Sequence, residues 1–317
     1  MRTAGFVFAL SMLIAVGVIQ AADIYVDDDN ISGPWNGTEG HPYQYIQDAI
    51  NAAGGRDTVI VMNGTYSGSG NVNLDFGGKV ITVESMTDAT NCIIDCGSTM
   101  YVRGFYFHSG EISDCVVDGF TIQNGAHDLG GAIHCKSASS PTIKNCNIVN
   151  NEAISGGGIS CLNGSNPEII DNYIRYNAAD SGGGIYCSNA SPTIKTNDIS
   201  YNYAEEGGGV YYIAGSGGST TLNVIMWNTA VYNGGGIYCD ASSPTIQGNN
   251  ISENSGDWQG GGVACVNGAF PIITENAINN NVDATWGGGI YCYKSGPEIT
   301  KNTIYTVSYT HLRAHET

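Results

Sequence analysis

Seven glycine clusters recur along the chain, beginning at Gly130, Gly156, Gly182, Gly207, Gly234, Gly260 and Gly287, at intervals of 26, 26, 25, 27, 26 and 27 residues. A chain that repeats on this scale stacks one structural unit on copies of itself. In the unit Gly182 to Asn202, short alternating stretches around Ile185, Ile194 and Ile199 are separated by Gly, Ser, Pro and Asn. There is no room for a helix of ordinary length. Three brief strands per coil predict an all-β parallel β-helix, each coil advancing about 4.8 Å. The glycines carry shape, so function must lie in what varies between copies.

Stacking turns the repeat into columns. Ile133, Ile159, Ile185, Val210, Ile237, Val263 and Ile290 form one expected inward row. Ile143, Ile169, Ile194, Ile246, Ile272 and Ile299 form a second, and Ile148, Ile174, Ile199, Ile225, Ile251, Ile278 and Ile304 a third. β-Branched chains nest well in strands, which predicts a narrow aliphatic prism. Asparagines at 172, 197, 223, 249, 276 and 302, and at 151, 177, 202, 228, 254 and 281, are expected to form corner ladders, a role suited to a side chain that bonds backbone and tolerates left-handed dihedrals. Prolines at 141, 167, 192, 244, 271 and 297 mark strand starts. The coil near Gly217 lacks one, and a local bulge is expected there.

Cys135, Cys161, Cys187, Cys239, Cys265 and Cys292 share one height, with Tyr212 in the gap. A row pointing into the core reads as a reduced ladder of small hydrophobes, although neighbouring coils are close enough for disulfides. Cys92 and Cys96 lie outside the row and are candidates to pair with one another.

Residues 1–22 read as a signal peptide, with Arg2 followed by the apolar run Phe6 to Ile19 and small residues at Ala21 and Ala22. A strand and capping helix occupy 23–79: apolar residues at 46, 49, 50 and 53 form one helix face, ended by Gly54 and Gly55. Coils fill 80–306. The segment 307–317 carries two of the six histidines, falls out of the repeat and resembles translated adapter sequence. It is set aside from the functional reading, and further coils, an end cap or a sorting module are expected beyond the repeat. With 11 basic against 29 acidic residues, nucleic acid and anionic membranes are poor partners. No transmembrane segment is expected after signal cleavage, and the protein is expected to be secreted or at a bacterial or archaeal cell surface.

The segments Ile24 to Asp29, Tyr43 to Ile50 and Gly64-Thr65-Tyr66 make the chain resemble exported right-handed parallel β-helix proteins of the pectin-lyase-like superfamily. The resemblance covers residues 23 to 306 and implies the fold and its right hand. It implies no particular activity, because the Gly-His-Gly and Arg-x-Lys motifs of the pectin-degrading hydrolases are missing here.

Three groups of residues are candidates for chemistry. His127, His134, Lys136, Glu152 and Asp180 would supply a base, a cation and carboxylates, with His134 and Lys136 expected to face solvent; the same residues also fit an ordinary polar face. Tyr186, Tyr211 and Tyr238 on one face, and Tyr176, Tyr201 and Trp227 on another, would form flat strips able to hold a sugar chain or stabilise the sheet. Asp27, Asp28 and Asp29 offer hard oxygens for Ca²⁺, the one cofactor considered, without the longer spacing of a defined calcium loop. The leading expectation is a scaffold binding polysaccharide or cell-surface glycan. A polysaccharide lyase or glycoside hydrolase and a non-catalytic spacer or adhesin repeat are the rival readings.

Overall fold

The computed structural model describes residues 21–283 and 286–305. The expected signal peptide, apart from its last two residues, and the expected foreign tail lie outside them. Among the described residues the solenoid has four parallel sheets, of 11, 10, 7 and 8 strands, the last two joining only at Ala126–Leu129 and Phe105–Phe107. We call them sheets I to IV in the order one coil visits them. In one coil, Thr193–Lys195 lies in sheet I, Asp198–Ser200 in sheet II, Tyr203–Glu206 in sheet III and Val210–Ile213 in sheet IV. The expectation of three strands per coil therefore misses sheet III. Its inward positions are small, Ala153, Ala179, Ala204 and Ala230, where the other sheets have isoleucine or valine, and only Ala179 of strand Ala178–Ser181 packs inward.

Strands pair in register from coil to coil, Ile174 opposite Ile199 and Ile185 opposite Val210. The three aliphatic rows become one buried core as far as the last described coil, where Ile290 is partly buried and Ile299 and Ile304 are exposed. One member was misplaced: Ile273 is fully buried and pairs with Ile246, while Ile272 is 42% exposed. Counting two residues from each proline gives Ile143, Ile169, Ile194, Ile246 and Ile273, so the correct register was available in the sequence.

The glycine triplets serve two needs. Gly182 has φ +66°, a left-handed turn that favours glycine. Gly183 and Gly184 have no room for a side chain, since a Cβ would stand 2.4 Å from the Tyr203 carbonyl oxygen and 2.6 Å from that of Gly209. Backbone bonds continue straight through the turn, with the Gly183 N–H donating to Gly207 O at 3.1 Å and Gly184 to Gly208 O at 3.1 Å.

Both asparagine ladders are present, and all their members but Asn302 are buried. Asn202 Nδ2 donates back to Ile174 O at 2.8 Å and forward to Asn228 Oδ1 at 2.9 Å. Its own Oδ1 accepts from Asn177 N at 3.0 Å and Nδ2 at 3.1 Å. Every polar group on the amide is satisfied at a corner that water cannot reach. The left-handed residue is the one before each asparagine: Tyr176, Tyr201 and Trp227 have φ of 56°, 56° and 53°. That reversal is what aims the following asparagine inward.

The coil without proline stays in register, Ser219–Thr221 pairing with strands on both sides. The irregularity falls instead in sheet III, where Ala204 pairs with Ala230 but Glu206 with Asn233, one extra residue on the later strand. The same coil departs in its core. Tyr212 replaces cysteine between Cys187 and Cys239, and Thr220 replaces isoleucine between Ile194 and Ile246. Both are fully buried, and their hydroxyls bond at 2.7 Å. The smaller threonine makes room for the phenol and satisfies it.

All ten cysteines are free thiols. Cys92 and Cys96 do not pair, and the Cys92 thiol points to the carbonyls of Val61 and Met62. Burial pushes the Cys96 and Cys146 thiols up to about 12, which removes their nucleophilicity at neutral pH. At the other end, helix Ile46–Ala52 lays Ile46, Ala49 and Ile50 on the first coils, and Ala53 joins them, as the apolar spacing predicts.

Replacing Asn202 with alanine orphans Ile174 O and two Asn177 donors, and should cost about 4 kcal/mol in chemical denaturation. The same change at half-buried Asn302, where water can substitute, should cost about 1 kcal/mol. Tyr212→Cys and Thr220→Ile should each destabilise alone, while the double variant restores the repeat. A double-mutant cycle should read a coupling of about 1 to 3 kcal/mol.

Candidate functional site

The outward positions of sheet IV form a column, Tyr106, His134, Ser160, Tyr186, Tyr211 and Tyr238, each opposite the next. Outward here does not mean exposed. His134 is 3% accessible, Ser160 is fully buried, and Tyr211 and Tyr238 are 3% and 4% accessible. The turn arriving from sheet III folds across the column: a Cβ on Gly207 would stand 2.6 Å from Tyr211 Cβ. His134 thus does not face solvent as alternation predicts. Tyr211 and Tyr238 pack with Ala264 and Val266 in a small apolar cluster, and Tyr211 donates to Glu206 at 3.3 Å. They cannot offer ring faces to a ligand; Tyr186, at the edge of the cluster, is half-buried.

At the N-terminal end of this column the structure brings together three of the five residues expected from sequence. His134 Nδ1 lies 2.5 Å from Ser160 Oγ, its ring stacked on Tyr106 at 5.5 Å between centroids. Burial, reinforced by Arg103, Lys136 and His127, pulls the His134 imidazole down to about 3, so it is neutral at physiological pH. His127 is also lowered, by burial and then by Arg103. Lys136 Nζ sits 5.1 Å from the Tyr106 ring centroid. Glu152 and Asp180 do not join this group. They are exposed on sheet III, and neither perturbs either histidine. Asp180 aligns with Ile154 and Asp128 along that sheet instead.

The residue that sequence reading missed is Arg103. Register counted back from Phe105 and Ile133 puts it where the next coil has Gly131, so no repeat column draws attention to it. Only 4% accessible, its guanidinium lies 5.0 Å from the Tyr106 centroid, and Nη1 has no hydrogen-bond partner. Cation–π contact returns about 1 kcal/mol, less than the several kcal/mol a buried unpaired charge costs. Burial lowers Arg103 to about 10, and it stays cationic at neutral pH.

The second aromatic column is open. Tyr176, Tyr201 and Trp227 are 56%, 40% and 43% exposed at the corner between sheets II and III. Their rings stack at 5.0 Å and 4.8 Å, with interplanar angles of 13° and 22°. The neighbours along this row, Asn150 and Glu253, carry no ring, so the outer faces of Tyr176 and Trp227 stay free of another aromatic. Exposed Tyr173 and Tyr203 flank the column, with Arg175 over Tyr173 at 4.5 Å.

A family model described as right handed beta helix region matches residues 46–226 and, overlapping, 131–309. The chain belongs to this right-handed β-helix family. No curated protein matches it by sequence. Among solved structures, the β-helix is similar to pectin methylesterase from carrot, at 14% identity over 90% of this chain and 88% of that one, TM-score 0.47. It is also similar to pectate lyase Pel9A, at 12% identity over 90% and 79%, TM-score 0.48. No helix among the described residues is long and apolar enough to cross a membrane.

The aspartates at the start of the chain are occupied locally. Asp27 Oδ1 accepts from Asp29 N at 3.0 Å, and Asp28 Oδ2 from Thr65 N at 3.1 Å. Among the described residues, no three His, Cys, Asp or Glu side chains gather as metal ligands. Asp28 fastens the start of the chain to Thr65 through that bond and crowds Gly64, whose Cβ would stand 2.2 Å from Asp28 Oδ1.

His134 makes an acid-stability prediction. Its folded value of about 3 lies below the ordinary 6.5, so above pH 6.5 neither state holds the proton and stability is unaffected. As pH falls from about 6 to 4 the unfolded chain binds it first, and stability should drop by about 1.4 kcal/mol per pH unit. His134→Gln, which keeps a partner for Ser160, should lose that part of the slope in denaturation measured across this range.

Proposed function

We propose that this chain is an exported β-helix scaffold that holds an extended polysaccharide along its aromatic corner. The observation that carries the reading is backbone strain. Tyr176, Tyr201 and Trp227 each occupy a left-handed position, with φ of 56°, 56° and 53°, where a bulky residue costs about 1 to 2 kcal/mol. The same row has Asn150, Glu253 and Asn280 at its other positions, and asparagine visits this region more readily than a bulky residue does. Aromatic side chains kept at strained, exposed corners on successive coils are a feature that stability alone does not require.

The chemistry of the corner fits a carbohydrate. Rigid rings with hydroxyl or indole donors at their edges present apolar surface and hydrogen bonds together. Because these rings stack on one another, a glycan along the axis meets their edges and donors, and a sugar ring can lie flat at either end of the pile. The coil spacing fixes these contacts in a line, which suits a polymer more than a small molecule. The signal segment supports a setting where such polymers are found.

Replacing all three residues with asparagine separates this role from a structural one. Melting temperature should hold or rise, since asparagine tolerates the backbone better. Retention of the recognised polysaccharide in affinity electrophoresis against acidic and neutral polymers should weaken about a hundredfold, from about 1 kcal/mol for each ring. Retention of no polymer by the natural chain would favour a spacer, and unchanged retention by the variant would place binding elsewhere. Tyr211→Ala, by contrast, should lose about 3 kcal/mol of stability because that ring is buried.

A further inference from the structure

We propose that Arg103, with Lys136 and His127, forms a binding site for an oxyanion carried by a sugar, a carboxylate or a sulfate ester. The chain has 29 acidic residues and 11 basic ones, so two cations gathered around one ring without a carboxylate partner are out of pattern. Arg103 and Lys136 both stand about 5 Å from the centre of the Tyr106 ring, at 5.0 Å and 5.1 Å. Neither takes part in any of the four ion pairs among the described residues. Asp128, the nearest acid to bias Arg103, is exposed and forms none of them either.

Two polar atoms here are buried with nothing to bond. One is Nη1 of Arg103, whose residue is 4% accessible, and the other is Nδ1 of His127. A planar guanidinium presents paired N–H donors that match a carboxylate or sulfate, and Lys136 adds a point charge. His127 Nδ1 can donate to the anion or bond its neighbouring hydroxyl. Tyr106 is the common neighbour of the two cations and also stacks with His134 and His108, at 5.5 Å and 4.2 Å between centroids. An incoming oxyanion would supply the partners this site lacks. Arg103 is the one buried arginine among the described residues.

The inference deepens the glycan reading and rests on it only for the source of the anion. The test measures binding of glucuronate, galactose 6-sulfate, inorganic phosphate and neutral galactose to the full chain by calorimetry and by chemical-shift changes at His127. At least one sugar anion should bind, with galactose at least tenfold weaker. Preference between glucuronate and galactose 6-sulfate identifies carboxylate or sulfate as the natural group, while binding of phosphate alone would overturn a sugar ligand.

Arg103→Met should weaken binding of the anion at least tenfold without lowering the melting temperature, because an unpaired buried charge is exchanged for an apolar chain of similar length. Lys136→Met, at a half-exposed position, should weaken it in the same direction without touching buried packing. Equal affinity in both variants and the natural chain, or no anion bound at about 10 mM, would overturn the site. The two proposals fail separately. Anion binding that depends on Arg103, with no polymer retained, keeps this site and ends the polysaccharide reading. Polymer retention together with anion affinity unaffected by Arg103→Met leaves the aromatic corner standing and removes this site.

Discussion

Everything in this molecule depends on the parallel backbone bonding that holds each coil about 4.8 Å from the next. A narrow solenoid has four corners per coil, and at each one the strand bonding would lapse and leave buried donors and acceptors unpaired. Two devices prevent this. The glycine turns let backbone bonds pass straight through, as with Gly183 to Gly207, and the asparagine ladders replace missing backbone partners with side-chain amides. Both work only if the same residue returns at the same place in every coil. The periodicity of the sequence is the direct consequence.

Where the repeat is broken, the exceptions come in compensating sets. Tyr212 and Thr220 trade volume and share a hydrogen bond within one coil, so a departure in one column is absorbed by another. The aromatic corner is different, since Tyr176, Tyr201 and Trp227 hold bulky rings at a left-handed φ that the asparagines of the same row adopt at lower cost. Arg103 is different again, a buried cation standing where the next coil has glycine, with an unpartnered nitrogen. Departures balanced within the core belong to folding. Departures left with strain or an unsatisfied group are the ones that point outward, to a ligand.

The expected core rows, both asparagine ladders and the capping helix were legible because each is set by spacing alone, in-register stacking converting a period directly into a column. Sheet III was not legible, because strands such as Ala178–Ser181 are small and polar and owe their place to the glycine turns that follow. Of the five candidate residues, alternation put His134 and Lys136 near one another, but it could not say that His127, on sheet III, comes close to them while Glu152 and Asp180, on the same sheet, stay exposed elsewhere.

By itself, then, the sequence determined the coil, its length, its inward rows and its ladders, since these follow from local periodicity repeated along an axis. Only the tertiary structure decided which outward residues meet water. His134 and Tyr211 alternate outward yet are buried, because the preceding turn folds back across sheet IV; Tyr176 and Trp227 alternate with nothing and are open, because a left-handed corner throws them out. Arg103 and Tyr106 came together with Lys136 across coils whose sequences do not repeat. Exposure and charge partnership are properties of the packed assembly, and no spacing in the chain encodes them.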